Sequence, residues 1–145
     1  MLTPIVSERF CLRVEPRFGE FDAGGVLYHG NYFHLYEMIR EALLKSGGKP
    51  YSEYVAEAKH LVITETHQQF SSPVRYGVPL RIELWATEIK GASFKMHYEI
   101  FFEKGVLPIH TAYTKLVFLE AAEGDFRVRP LPVELKALLN RYCER

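Results

Sequence analysis

No run of apolar residues in this chain approaches the roughly 20 that a bilayer-spanning helix needs, so stable membrane insertion is not expected. The opening MLTPIVSERF has neither a basic leader nor a long apolar stretch behind it, which predicts no secretory signal. There are only two cysteines, Cys11 and Cys143, far apart and outside any metal-ligand spacing. That argues against a disulfide scaffold and against a metal site, and favours free thiols in the cytoplasm. An excess of either charge is also lacking: 18 Lys and Arg balance 18 Asp and Glu. Nucleic acid is therefore excluded as the main partner, because phosphate binding needs a clustered positive surplus. Near-neutrality makes self-association easier. Repeats, low-complexity tracts and linkers are missing as well, so residues 1–145 read as one domain.

What is present is hydrophobic periodicity. The apolar share of 48% is enough for a real core. Ser7 to Phe18 alternates as a strand, with Pro16 disturbing its end, and Glu20 to Gly30 is glycine-rich and irregular. From Asn31 the period changes. Tyr32, Leu35, Tyr36, Ile39, Ala42 and Leu43 recur at helical spacing, and Gly47-Gly48 with Pro50 stop the helix after about four turns. Tyr51 to His60 suits a short helix. Strands follow at Leu61–Phe70, Leu80–Thr87, Phe94–Glu103 and Ile109–Leu119, the last apolar enough to predict cover on both faces. Phe94, Tyr98 and Phe102 share a strand face and should pack on the helix. Pro130 and Pro132 lead into a final helix bearing Leu135, Leu138, Leu139 and Tyr142. One long helix followed by short-linked strands predicts α+β with an antiparallel sheet.

The string Asp22-Ala-Gly-Gly-Val-Leu-Tyr-His-Gly-Asn-Tyr32, entering that helix, resembles the signature of the 4-hydroxybenzoyl-CoA thioesterase family of hotdog-fold proteins. Its D-A-G-G-V-x-Y-H form is most similar to the bacterial acyl-CoA thioesterases associated with the Tol-Pal system. Ser71–Glu83, Lys90–Ile100 and Arg127–Leu135 fall in the expected order, so the likeness spans nearly the whole chain. It implies a hotdog fold, an antiparallel sheet wrapped around the long helix. It also implies a homodimer or homotetramer with the active site at the subunit interface, and hydrolysis of acyl-CoA or acyl carrier protein thioesters without metal or cofactor. Many relatives carry Asp-Thr-Asp before the glycines; Gly19-Glu20-Phe21-Asp22 stands here, and the outer acid reads as missing.

The chemistry suits these residues. Thioester hydrolysis needs an attacker at the carbonyl and a partner for the oxyanion. Asp22 can attack directly or act as general base on water, and burial beside Phe21, Tyr28 and Tyr32 would strengthen it. The first amides of the helix have no intrahelical partners and lie at the positive end of its dipole. By resemblance the His29 amide is the oxyanion donor, aided near Gly25; an assisting role for the His29 side chain, orienting water or the acid, is a separate candidate. Tyr28 lines the pocket. Against these stand plainer roles: Asp22 as an Asx-turn or cap, His29 as a surface histidine, Asn31 as the helix N-cap rather than a substrate contact. His29 and His34 are five apart and face different sides, so they are no metal pair. For the CoA phosphates Arg75, Lys90 and Lys95 are candidates, with Ser93 as hydrogen-bond donor; Lys90 to Ser93 matches the nucleotide-contacting loop of relatives. Two other activities compete: a non-catalytic scaffold that binds acyl carrier protein or an envelope complex, and a hotdog hydratase.

Overall fold

The computed structural model describes residues 8–144. A six-stranded antiparallel sheet holds one long helix against its inner face, the α+β hotdog arrangement expected. The strands are β1 (Phe10–Val14), β2 (Lys59–Phe70), β3 (Leu80–Thr87), β4 (Ser93–Phe102), β5 (His110–Ala122) and β6 (Asp125–Val128). They run in the order β1-β3-β4-β5-β2, with β6 folded back on the end of β5. The helices are α1 (Tyr32–Ser46), α2 (Tyr51–Ala56) and α3 (Val133–Arg141).

The helix forms where its apolar stripe demands. Tyr32, Leu35, Tyr36, Ile39, Leu43 and Leu44 of α1 are buried, and they meet the alternate residues Leu80, Ile82, Leu84, Phe94, Met96, Tyr98, Ile100 and Leu116 of the sheet. Two periods, 3.6 and 2, thus converge on one core. The helix ends where Gly47 lies under α3: a Cβ at that position would come within 2.7 Å of Leu138 Cδ2.

Three expectations change, and one strand, β6, was not anticipated. The first strand is shorter than Ser7–Phe18, and Ser7 lies outside the described residues. β6 has no forecast, because four exposed residues carry no burial pattern to read. β5 is not covered on both faces: its helix-side residues are buried and the alternate ones only half-buried, since no element among the described residues lies on its outer side. Phe102 turns out to solvent, while Phe101 is buried under the Arg81 guanidinium. Both cysteines are free, as expected.

Candidate functional site

Asp22 opens a tight turn. Its Oδ1 accepts the Gly24 amide at 2.8 Å and the Val26 amide at 3.3 Å. Backbone bonds from the Asp22 amide to the Val26 carbonyl and from the Gly25 amide to the Asp22 carbonyl close the loop. Gly25 sits at φ +79, a conformation that L side chains rarely adopt. The plain Asx-turn role is therefore real. The expected burial of the carboxylate is not: Asp22 and Tyr28 are exposed, because nothing among the described residues covers this side of the loop. Phe21 is half-buried beside Tyr76, and Tyr32 is buried in the core.

The loop leads straight into the helix start. The Leu27 amide donates to the Val74 carbonyl and the Tyr28 amide to the Glu20 carbonyl. His29 to Asn31 then form one tight turn that runs into α1. Among the described residues, neither the His29 nor the Gly30 amide has an acceptor, whereas the Asn31 amide bonds the Tyr28 carbonyl. Two unsatisfied donors therefore stand at the positive end of α1, as the spacing of glycines and helix predicts. Beside them runs an open groove lined by Val26, Leu27, His29, Tyr32, Phe70 and Pro73. Its walls are mostly apolar, with hydroxyls at Ser71 and Ser72.

Asn31 occupies the N-cap position but makes no capping bond. Its side-chain amide instead donates to the Glu20 carbonyl at 2.7 Å, pinning the loop to the helix. Glu20 itself fills the place of the outer acid, so that acid is not missing. Its Oε1 meets Arg17, and its Oε2 is buried without a partner among the described residues. The His29 ring packs against Tyr28 at 4.3 Å between centroids and is exposed.

The phosphate candidates separate into two places. Arg75 pairs through its backbone with Val26, next to the Asp22 turn. Lys90, Ser93 and Lys95 gather elsewhere, around a shallow depression that also holds Lys115, Thr64 and Val117. Lys115 escaped the sequence reading because it lies in the middle of an apolar strand and joins the others only through the β4–β5 register. No helix among the described residues is long and apolar enough to cross a membrane.

His110 is the other residue that sequence reasoning passed over. It is fully buried, hydrogen-bonded through Nδ1 to the Tyr36 hydroxyl, and stacked on Tyr32 at 4.2 Å. Desolvation lowers its pKa to about 4, so the ring is neutral at ordinary pH.

Known proteins share this architecture. The chain is 29% identical over 76 residues to the acyl-CoA thioester hydrolase YbgC of Escherichia coli, a match covering 52% of this chain and 57% of the relative. A hypothetical protein of Aquifex aeolicus, known from its crystal structure, superposes with a TM-score of 0.82 at 26% identity over 90% of this chain and 98% of that one. The dynemicin thioesterase superposes at 0.87 with 18% identity, over 95% and 99%, a likeness of fold. The profile of the Thioesterase superfamily matches residues 24–109, from the glycine turn through the fourth strand. A carboxylate turn, a helix start with free amides and a wrapped antiparallel sheet fit that match, and the chain belongs to the thioesterase superfamily.

Proposed function

We propose that this protein hydrolyses acyl-CoA thioesters, with Asp22 as nucleophile or general base and the His29 and Gly30 amides as oxyanion donors. The observation that carries the reading is the pair of unsatisfied amides at the start of α1, bordering a groove immediately after the carboxylate turn. A thioester carbonyl oxygen resting on those amides is polarised as negative charge develops. One preorganised donor of this kind contributes about 3 kcal/mol. The Asp22 carboxylate keeps Oδ2 outside the turn's hydrogen bonds, available to attack the carbonyl carbon or to take a proton from water. With water as attacker, expulsion of the thiolate leaves the free acid; with Asp22 as attacker it leaves an acyl-aspartyl anhydride, which water then cleaves to the free acid and the regenerated carboxylate.

The exposure of Asp22 is consistent with a site completed by a second copy. β2 is an edge strand whose outer side is unpaired among the described residues, and Val62, Ile63 and Phe70 on it are exposed. Antiparallel pairing of two β2 strands about their middle brings the Phe70 end of one to the Lys59 end of the other. The Asp22 turn of one subunit then approaches the depression formed by Lys90, Ser93, Lys95 and Lys115 of the other. Those lysines suit the phosphates of CoA or of the phosphopantetheine arm of an acyl carrier protein. The Asp22–Tyr32 string supports the Tol-Pal-associated branch of the family.

Release of free thiol from a panel of acyl-CoA substrates tests the assignment. Asp22→Asn is expected to lower turnover by about 100-fold or more, the range of a lost acid–base group. Equal activity in that variant ends the catalytic role of Asp22. Absence of hydrolysis across the panel, with retained binding of acyl carrier protein, favours the scaffold instead.

A further inference from the structure

The half-buried arginines among the described residues are Arg9, Arg40, Arg81 and Arg129. Arg9 pairs with Glu83 and Glu99, Arg81 with Glu83, and Arg129 with Glu120. Arg40 alone of the four has no ion pair among the described residues. A partly desolvated cation ordinarily has a carboxylate beside it. Glu37 and Glu41 are near it on α1, but both are exposed and neither reaches the guanidinium. Nη1 of Arg40 donates to the Tyr98 hydroxyl at 3.1 Å. That hydroxyl is buried and shares a 2.7 Å bond with Thr114, so it brings no negative charge. A guanidinium carries five N–H donors. Those beyond the Tyr98 bond have no protein acceptor among the described residues.

The spare donors border a cavity of about 250 Å³. Arg40 and Leu44 of α1, Tyr51 of α2, Leu61 of β2 and Leu116 of β5 line it, with Glu37 and Glu41 at the rim. Its floor is apolar: Leu44 and Leu116 are buried, and Leu61 packs against the core. The Tyr51 hydroxyl accepts the Leu61 amide at 3.4 Å, and its own proton has no acceptor among the described residues. One cavity therefore joins a charged donor, a neutral donor and an aliphatic floor. The groove at the start of α1 shares none of these residues.

We propose that this cavity is a binding site for a carboxylate on a short aliphatic body. The carboxylate oxygens accept from the Arg40 guanidinium and the Tyr51 hydroxyl, and the chain lies on Leu44, Leu61 and Leu116. The ligand brings the negative charge that no residue places beside Arg40. A space of about 250 Å³ equals about eight waters at about 30 Å³ each, which suits a chain of medium length. The two rim glutamates stand in water, where salt screens their repulsion of an anion. Hydrolysis of an acyl thioester releases acids of this class, but the site itself does not rest on the thioesterase reading.

Calorimetry with octanoate and octanol on the full chain tests the site without turnover. Octanoate should bind about tenfold or more tightly than octanol, since a hydrogen bond to a charged group is worth that much. Arg40→Met should weaken octanoate by about tenfold and leave octanol unchanged, and Tyr51→Phe should shift octanoate the same way. Equal affinities for the two ligands overturn the proposal, as does no octanoate binding at millimolar concentration. Octanoate affinity that survives Arg40→Met also overturns it, because the acid then sits elsewhere. Where circular dichroism shows that Arg40→Met does not fold, Tyr51→Phe decides by the same criterion. Thiol release from acyl-CoA is read separately, so failure of one reading leaves the other standing.

Discussion

Asp22 and His110 are opposite cases of an ionisable side chain. The first is exposed and held by two amides of its own turn; the second is sealed among Tyr32, Tyr36 and Phe70. His110 has a consequence for stability. Its pKa falls from 6.5 to about 4 on burial, so the unfolded chain binds the extra proton between those values and the native state does not. Its contribution is complete above pH 6.5 and is lost as pH falls toward 4, a drop of about 3 kcal/mol at most. Urea unfolding at a series of pH values should show that slope, and His110→Phe should flatten it. At Gly25, φ +79 makes alanine strained. Gly25→Ala should cost about 1 kcal/mol in thermal or urea unfolding and lower turnover, because the turn that orients Asp22 must shift.

At the scale of elements, α1 was legible from its stripe alone, since 3.6-residue spacing survives any context that buries one face. Its energetics follow. Ile39 is fully buried at the centre of the core, and Ile39→Ala should destabilise by about 2–5 kcal/mol in urea titration. Gly47 was legible as a stop signal, but not as a packing site. Alanine there would press on Leu138 of α3, so Gly47→Ala should lower the melting temperature unless Leu138 moves aside. The strands were read nearly as well, except where burial fails to alternate: β6 is exposed throughout, and Phe101-Phe102 reverses the pattern at the end of β4.

Across the whole molecule, one face of the sheet is filled by α1 and the β2 edge is left open. If the site is shared between copies, disrupting that edge should separate subunits and remove activity together. Ile63→Lys, on the exposed strand, is expected to shift sedimentation toward the monomer and lower turnover about as far as Asp22→Asn does. A dimer that persists with full activity would show that β2 is not the interface.

Local order is what the sequence determined by itself: the helix and its end, five of the six strands, the class of fold, and the short string from Asp22 to Tyr32 whose chemistry depends on neighbours in the chain. These are short-range properties, set by side-chain period and by backbone freedom at glycine. Tertiary structure alone decided which distant groups meet. The β5 register joins Lys115 to Lys90, Ser93 and Lys95, and sets His110 behind Tyr32 and Phe70. It also leaves Asp22 exposed among the described residues, although Phe21, Tyr28 and Tyr32 lie close to it in the chain.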